Sequence, residues 1–449
     1  MGELLSVGLD VGTTTTQLIV SRLQVENRAG AFAVPEMAIT DREILYRSPV
    51  RFTPLKSEQL VDGAAIRELV LQDYAAAGII RESVDTGAII ITGETSRKEN
   101  AQEVLAGLSG FAGDFVVATA GPDLESSLAA RGAGADALSR EKGTVLHMDI
   151  GGGTSNLALF REGKLVQTGC LNVGGRLIKM EKTGVITYVS PVLAGLTDLK
   201  PGDYPLPCQV EALAQLLAQA LEMAAGLRPP TALYEKLLTR EAGAWDIPRE
   251  RVTLSFSGGV ADCIEKEQED LAFGDLGPAL GRAIRKSLLC RGDFTLGRET
   301  IRATVIGAGC HSAQLSGSTV FCRDVALPMK NLPVAVIEDR QDIPGAVEKA
   351  LETWETEPVV LAFPGDWESS YAQVEALARD IHRGAGERPV VVCLEADMAK
   401  ALGQCLCLLG RKSCLCLDRV RLGPGSYLDV GAPVGPALPV VVKTLILSQ

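Results

Sequence analysis

The sequence predicts an α/β fold in which two related domains precede a smaller α/β module. Three features predict it: a strand, glycine turn and strand pattern that occurs twice, apolar strands that alternate with helical segments, and a globular composition. The 449 residues are 46% hydrophobic and 22% charged and include 47 glycines. This composition suits two or three domains with well-buried cores and many tight turns.

The net charge and the N-terminal segment argue against several classes of protein. A formal charge of -12 and the lack of a basic stripe argue against nucleic acid as a partner. The N-terminus, with Glu3 and Asp10, lacks the basic and apolar regions of a signal peptide. No apolar run reaches the roughly 18 uncharged residues of a membrane span. We therefore expect a soluble, cytoplasmic protein without a membrane partner.

The strand, glycine turn and strand pattern opens the chain. The segments "LLSVGLDVG" and "TQLIVSRL" are apolar and β-branched and flank a glycine turn, which is typical of a hairpin whose first strand ends at Asp10. The pattern returns in "GTVLHMDIGGGTSNLALFREGKLV", where the equivalent acid is Asp149. Two copies of one hairpin predict a duplicated domain.

The segments between and after the hairpins complete the two domains. A helical pattern covers about 57–77, and "GAIIITGE" is a buried strand. A strong amphipathic helix runs from Val210 to Gly226, where we expect a lid subdomain. "VTLSFSGGVADCI" predicts a strand, a glycine pair and a helix start, and "TVIGAGCHSAQLSGST" predicts a strand, a glycine turn and a helix.

The pattern changes after Pro333, where the short strands "VAVIE", "VVLAF" and "VVVCLEA" alternate with helices. We therefore predict a first domain at 1–140, a second domain at 141–330 with a helical insertion at about 205–245, and a C-terminal α/β module at 331–449.

The glycine turns point to phosphate chemistry. Glycine permits a positive φ and removes side chains, so that consecutive backbone N–H groups can converge on phosphate oxygens, and threonine hydroxyls add donors. A carboxylate beside phosphate is repelled unless a cation lies between them, so Asp10 and Asp149 are candidate catalytic residues and Mg²⁺ ligands. One such loop is equally well explained as a plain hairpin, but two loops followed by Gly258, Gly259, Gly307 and Gly309 favour nucleotide binding.

Two other nucleotide-binding motifs do not apply to this sequence. No G-x-x-x-x-G-K-[ST] occurs, which excludes a Walker-type loop. "GAGADA" at Gly132 to Ala137 has the dinucleotide spacing but follows a helical segment, not a strand.

The order of these motifs resembles the superfamily of actin, sugar kinases and heat-shock chaperone ATPases. "LDVGTTTT" and "MDIGGGTSNLALF" match its two phosphate loops, "ITGETSRKENA" and "IGAG" its two connecting segments, and "FSGGVADCI" its adenosine loop. The resemblance implies two ribonuclease-H-like, actin-like ATPase domains around a cleft for ATP or ADP with Mg²⁺. The nucleotide-binding candidates are then Gly12, Thr13, Thr14, Gly151, Gly152, Gly153, Thr154, Gly258, Gly259 and Gly307.

Along its whole length the sequence also resembles the reactivating factors of ethanolamine ammonia-lyase. The segment "IGAGCHSAQLSGSTVF" and the tail "DRVRLGPGSYLDVGAPVGPALPVVVKTLIL" belong to this resemblance. It implies a chaperone-like ATPase whose client is the adenosylcobalamin-dependent lyase, from which damaged cobalamin is released so that intact coenzyme can bind. Homo-oligomerisation and association with a bacterial microcompartment stay open.

Several residues have two interpretations. Glu94, in the first connecting segment, is either a catalytic residue that orients the attacking water or a solvated strand end. His147 shares a strand face with Asp149; we favour a satisfied or partly buried structural histidine, and the alternative is a catalytic role. Cys405, Cys407, Cys414 and Cys416 either bind a metal as two C-x-C pairs or pack as small hydrophobes.

Four other functions compete with reactivation. A small-molecule kinase and an actin-like filament ATPase share the predicted cleft. An iron-sulfur ATPase that activates a radical dehydratase would use the cysteines, and a weak variant would only bind nucleotide.

Overall fold

The computed structural model describes most of the chain. It does not describe residues 1, 13–14, 28–36, 58–59, 93–99, 101–103, 105–106, 109–115, 120–121, 240–244, 267, 312, 316–319, 355–357, 366, 368–369, 424–425, 432, 434–437 and 445–449.

The N-terminal part of the chain forms the first sheet. Its elements are β1 (Gly2–Val11), β2 (Thr15–Asn27), β3 (Met37–Arg47), β4 (Arg51–Phe52), β5 (Leu55–Ser57), β6 (Leu60–Val61), α1 (Gly63–Ala77), β7 (Thr86–Ile91) and β8 (Val116–Thr119). The described strands run in the order β3-β2-β1-β7-β8, with β4 beside β2. β1 and β2 form the predicted antiparallel hairpin, and β7 lies parallel to β1.

The helix predicted at 57–77 begins later, at Gly63. The side chain of Asp62 accepts hydrogen bonds from the backbone N–H groups of Ala64 and Ala65, both at 3.1 Å, and so caps the first turn. Gly78, with φ of 67°, ends the helix in the left-handed conformation.

The central part of the chain forms the second sheet. Its elements are α2 (Pro122–Gly132), α3 (Ala135–Lys142), β9 (Thr144–Ile150), β10 (Ser155–Arg161), β11 (Lys164–Leu171), β12 (Ile178–Met180), β13 (Ile186–Val189), α4 (Pro207–Ala224), α5 (Ala232–Leu237), β14 (Thr253–Ser257), α6 (Ala261–Glu265), α7 (Gly277–Lys286), β15 (Phe294–Leu296) and α8 (Ala303–His311). The sheet order is β11-β10-β9-β14-β15. In both sheets the first strand has its antiparallel hairpin partner and then the third strand on one side, and two later, parallel strands on the other. The α/β fold with two ribonuclease-H-like domains is confirmed.

The amphipathic helix α4 does not stand apart as a lid. Leu213, Leu217 and Leu221 are fully buried in the same cluster as Met148 and Ile150 of β9. The apolar stripe that predicted the helix therefore covers the second sheet.

The segment "TVIGAG" is a helix, and the predicted strand and glycine turn there were wrong. It lies in α8, which packs on β1 and β7 of the first sheet and on α2, which itself packs on β10 and β11 of the second. A Cβ at Gly307 would collide with the carbonyl oxygen of Leu128 in α2, and one at Gly8 in β1 would lie 2.7 Å from the backbone nitrogen of Gly309. Glycine is tolerated in this helix because it lets α8 lie directly on neighbouring backbone.

The C-terminal module is a mixed sheet with helices. Its elements are β16 (Ala313–Leu315), β17 (Phe321–Arg323), β18 (Met329–Val336), α9 (Ile343–Thr353), β19 (Val360–Phe363), α10 (Tyr371–Ala385), β20 (Val390–Leu394), α11 (Ala399–Leu408), β21 (Cys414–Leu417), β22 (Ser426–Val430) and β23 (Pro439–Thr444). The order is β16-β23-β22-β18-β19-β20-β21-β17. β18 to β21 are parallel, as the alternation of strands and helices predicts. β16 and β17 join this sheet although they precede residue 331, and the domain limits themselves stay a prediction.

Within the described ranges, no helix has both the length and the apolar character needed to cross a membrane.

The glycine contact between α2 and α8 leads to the first prediction. Gly307→Ala should lower the free energy of unfolding by about 1 to 3 kcal/mol, because the added methyl group must push two helix backbones apart. Thermal or urea unfolding measures this. Gly292→Ala is the control, because a Cβ there meets nothing within 4 Å. Equal stability of the two variants would contradict the packing argument.

Candidate functional site

A cleft of about 400 Å³ lies where the two sheets face each other, a size typical of small-molecule sites. Its walls come from the first and second glycine hairpins and from the turn after β14. The cleft brings together most of the residues that the sequence singles out: Asp10, Gly12, Asp149, Gly151, Gly152, Gly153, Thr154, Gly258 and Gly259.

Asp10 lies near the end of β1, between Gln17 of β2 and Ile90 of β7. Thr92, just after β7, donates a hydrogen bond of 3.0 Å to its Oδ1. Burial, opposed by that hydrogen bond and reinforced by the nearby charge of Asp149, raises the pKa of Asp10 to about 7. The cleft thus holds a carboxylate that lacks a compensating cation among its described neighbours.

Asp149 occupies the equivalent position near the end of β9. Ser257 of β14 donates a hydrogen bond to its Oδ1, and Asn156 of β10 also hydrogen bonds to it. Burial nevertheless raises the pKa of Asp149 to about 6. Two buried acids therefore approach one another from the ends of equivalent strands.

His147 supports Asp149 indirectly, through Ser257. It is fully buried, its Nδ1 lies 3.0 Å from Ser255 Oγ and its Nε2 lies 2.8 Å from Ser257 Oγ, and burial lowers its pKa to about 3. Because the Ser257 hydroxyl donates to Asp149, its oxygen must accept the Nε2–H of a neutral His147. The interpretation of His147 as a buried structural histidine agrees with this chain of hydrogen bonds.

The two hairpins close in the same way. The backbone N–H of Gly12 donates to the carbonyl of Thr15, and that of Gly151 donates to Thr154, both at 2.9 Å. Each turn begins two residues after its aspartate and ends five residues after it. The duplication predicted from sequence therefore extends to individual hydrogen bonds.

A carboxamide faces each aspartate across its hairpin. Gln17 pairs with Asp10 and Asn156 pairs with Asp149 in the strand registers. Both side chains line the cleft, and the amide oxygens of both are buried without a hydrogen-bond partner among the described residues. Buried oxygens without a donor are costly, and these two are suited to a cation or its bound water.

The glycines of the cleft have different roles. Gly258 has φ of 86°, and a side chain there would collide with the carbonyl of Ile150, so it is needed for the turn itself. A Cβ on Gly153 or Gly259 would meet no described atom within 4 Å. These two glycines leave space open in the cleft.

Residues Glu299 to Arg302, which we call the bridging segment, contact both domains. The carbonyl of Thr300 accepts the N–H of Gly258 at 3.0 Å, and its hydroxyl donates to Asp262 in the cleft wall at 2.6 Å.

The flanking residues of the bridging segment face the first sheet. Glu299 forms an ion pair with Arg47 at 2.8 Å, the carbonyl of Ile301 accepts from Gln17 at 3.1 Å, and Arg302 donates to the carbonyl of Ser48 at 3.2 Å. The bridging segment therefore connects the turn at Gly258 to the first domain.

A second contact crosses the cleft near its mouth. The guanidinium of Arg176, just after β11, lies 5.7 Å from the ring centroid of Phe52 in β4 and 3.4 Å from Asp275. Phe52 is 75% exposed. This contact joins the exposed ring of Phe52 to the largely buried pair of Arg176 and Asp275 beside the cleft.

Three predicted residues lie outside the described residues: Thr13, Thr14 and Glu94. Gly307 is described, but it lies in α8 against α2 and is not among the residues that line the cleft. Its predicted nucleotide contact therefore gains no support from the geometry.

Sequence reasoning missed the residues that hold the acids in place. Gln17 and Asn156 each follow an aspartate by seven positions, a repeat within the repeat that a direct alignment of the hairpins would have found. Thr92 and Ser257 lie inside motifs that were recognised, "ITGETSRKENA" and "FSGGVADCI", but were not singled out. The bridging segment and Arg176 carry no such sequence signal.

The four C-terminal cysteines do not form the predicted pair of C-x-C metal ligands, although the Cys407 and Cys414 sulfurs lie 3.9 Å apart. Cys405 and Cys407 lie on α11 and Cys414 and Cys416 on β21. Across the part of the chain that is described, no three or more His, Cys, Asp or Glu side chains are arranged to hold a metal ion.

Comparison with known proteins gives a match along the full chain. The model of the family described as ethanolamine utilisation protein EutA matches residues 2–448. Two relatives, from Salmonella typhimurium and Escherichia coli, are each named ethanolamine ammonia-lyase reactivase EutA. Each is 40% identical over 466 aligned positions, which cover 99% of this chain and 98% of the relative.

Among solved structures, a Ppx/GppA family member from Aquifex aeolicus is 12% identical with a TM-score of 0.43. The match covers 68% of this chain and 97% of that one.

The buried acids lead to the second prediction. Asp10→Asn should raise the stability of the nucleotide-free protein by about 1 kcal/mol, because it removes one of two buried charges while an oxygen remains to accept from Thr92. Thermal unfolding in the presence of a chelator measures this.

Asp73→Asn is the matched control for that prediction. Asp73 is equally buried, but both of its oxygens accept from Arg51, at 2.8 and 2.9 Å. Its replacement should cost roughly 3 kcal/mol, since the arginine is left without its counter-charge. A loss of stability in both variants would show that Asp10 is adequately compensated in the free protein.

Proposed function

Because this chain belongs to the EutA family of ethanolamine utilisation proteins, we propose that it reactivates an ethanolamine ammonia-lyase. The observation that carries the proposal is similarity to two named reactivases at 40% identity over 99% of the chain. Both relatives are reactivases, so the kinase, filament and iron-sulfur alternatives receive no support from them.

The proposed role has a simple thermodynamic form. A cobalamin enzyme that has lost the adenosyl group of its coenzyme must open before the damaged cofactor can leave. A second protein shifts the client towards its open state only by binding that state more tightly than the closed one. The proposed cycle therefore needs a reactivase whose affinity for its client changes. Nucleotide binding and hydrolysis in a hinged cleft would change that affinity.

The residues of the cleft fit ATP or ADP with Mg²⁺. Magnesium prefers oxygen ligands and is held by one or two carboxylates together with phosphates and water. Asp10 and Asp149 supply the carboxylates, and the unpartnered amide oxygens of Gln17 and Asn156 supply acceptors for metal-bound water. Hydrolysis of a phosphoanhydride bond of the bound nucleotide would supply the free energy.

The neighbouring backbone suits the phosphates and the nucleoside. The turns at Gly12 and Gly151 expose backbone around the acids, and the open space at Gly153 admits a phosphate without a side-chain clash. The turn at Gly258 and Gly259 offers a side-chain-free surface for the adenosine. Thr13, Thr14 and Glu94 stay candidates for phosphate binding and for orienting water.

The bridging segment provides a route from the cleft to the domain arrangement. A ligand that presses on Gly259 or Asp262 acts on Thr300, and the adjacent Glu299 and Ile301 hold the first domain through Arg47 and Gln17. Because α8 follows directly and packs on β1, displacement of this segment would move one sheet relative to the other. Homo-oligomerisation, the cytoplasmic location and association with a microcompartment stay predictions.

The third prediction tests the function directly. Purified ethanolamine ammonia-lyase, loaded with a cobalamin that lacks the adenosyl group, should regain activity when this protein, ATP, Mg²⁺ and fresh adenosylcobalamin are added. The rate of ethanolamine deamination measures the recovery. Asp10→Ala should abolish recovery, because the proposed metal site loses a ligand.

Two outcomes of that assay are informative. Recovery that does not need ATP would retain the client and reject the nucleotide site. Failure of folded, ATP-binding wild-type protein to restore activity would reject the client.

The fourth prediction concerns coupling. Thr300→Val removes the hydroxyl that donates to Asp262 but keeps the backbone carbonyl that binds Gly258. We expect ATP affinity, measured by calorimetry, to fall by no more than about a hundredfold, since a hydrogen bond to a carboxylate is worth at most about 3 kcal/mol, while reactivation falls more strongly. Ser83→Ala, which removes a hydroxyl that bonds only locally to Ile80, is the control. Proportional losses of affinity and reactivation would contradict a coupling role.

A further inference from the structure

Two cysteines of the C-terminal module lie within reach of each other. Cys407 is in the last turn of α11, and Cys414 is the first residue of β21. Their sulfur atoms are 3.9 Å apart. Between them runs a short turn through Gly410, whose φ is 100°. The two thiols thus belong to different elements that are joined by only a few residues.

The two sulfurs differ in access. Cys414 is fully buried, whereas Cys407 is partly exposed and precedes Leu408, which is 81% exposed. Cys407 is therefore the more accessible of the two cysteines to small solutes.

Positive charge and hydrogen bonds surround the pair. Arg323 of β17 is the register partner of Cys414, and its guanidinium hydrogen bonds to the Cys407 sulfur. Hydrogen bonds from the thiols of Cys416 and Cys407, together with the charges of Arg411 and Arg323, lower the pKa of the Cys414 thiol. Burial raises the pKa of the Cys407 thiol, although Arg323 opposes this. Such surroundings favour a thiolate at the inner sulfur.

We propose that Cys407 and Cys414 form a reversible disulfide when the protein meets a hydroperoxide, and that this pair is an oxidative modification site. The proposal rests on the separation of the sulfurs, the exposure of one and the nearby guanidinium groups. It does not depend on the reactivase function.

The chemistry takes place in two balanced steps. The Cys407 sulfur attacks the hydroperoxide, an S–O bond forms, the O–O bond breaks, and the thiol proton leaves with the alcohol or water. Cys407 is then a sulfenic acid. The Cys414 thiolate attacks it, an S–S bond forms, the S–O bond breaks, and the departing hydroxide takes from solvent the proton that Cys414 had released, so that water leaves. The hydroperoxide is reduced by two electrons, and the two thiols are oxidised. A dithiol reverses the change by exchange.

Competing pairs fit less well. Cys414 and Cys416 share a strand face, where Cα atoms two residues apart are separated by about 6.6 Å, near the upper limit for a disulfide. Cys405 lies on the buried face of α11, in the core of the module. Cys393 is also buried, and burial raises the pKa of its thiol. Cys407 is therefore the partner that the geometry favours for Cys414.

The sequence provides a sharp assay, which is the fifth prediction. Trypsin cleaves after Arg411 and Lys412, between the two cysteines, so that Cys407 lies in peptide 401–411 and Cys414 in peptide 413–419. The full-length protein is treated with hydrogen peroxide, free thiols are alkylated, and the digest is analysed by mass spectrometry. We expect these two peptides to be linked, and the link to disappear after treatment with dithiothreitol.

Variants assign the sulfurs, because each peptide contains two cysteines. Cys407→Ser should abolish the link. Cys405→Ser, in the same peptide, and Cys208→Ser, at an exposed position of α4, should retain it. Fragmentation of the linked wild-type peptides gives the same assignment even if a variant fails to fold. Oxidised wild-type protein without the link, a link that survives in Cys407→Ser, or fragments that join other cysteines would overturn the proposal.

Discussion

The structure is organised around two carboxylates buried in one cleft. Asp10 and Asp149 approach from the ends of equivalent strands, and burial raises the pKa values of both. Each is held by a hydroxyl donor, Thr92 or Ser257, which fixes the acid without neutralising it. An arrangement that costs folding free energy in this way is typical of a site that is completed by a cation.

Pseudo-symmetry gives this cleft its shape. Each domain supplies an aspartate, a glycine turn that closes on a threonine, and a carboxamide opposite the acid. In the part of the chain that is described, the symmetry ends behind the acids, where the hydroxyl of Ser257 that holds Asp149 is itself bound by His147. The second acid is therefore held by a longer chain of hydrogen bonds than the first.

The domains are connected by backbone contacts as well as by side chains. Glycines in α8 let it lie on both α2 and β1, so that the helix is seated on elements of both domains. The bridging segment immediately before α8 touches the turn at Gly258 on one side and the first sheet on the other. A change in the cleft therefore acts close to the helix on which the two sheets meet.

The sequence by itself determined the hairpins, the duplicated acids, most of the helices and the family, because glycine turns, alternating apolar residues and motif order are local properties. Only the tertiary structure decided that "IGAG" is helical, since glycines in a helix are stabilised there by backbone packing against α2 and β1 that no local pattern reveals. The same holds for α4, whose apolar stripe has the same appearance in a lid and in a core. Tertiary packing likewise placed Thr300 beside Asp262 and Cys407 beside Cys414. Such contacts join different elements and depend on how the whole chain packs.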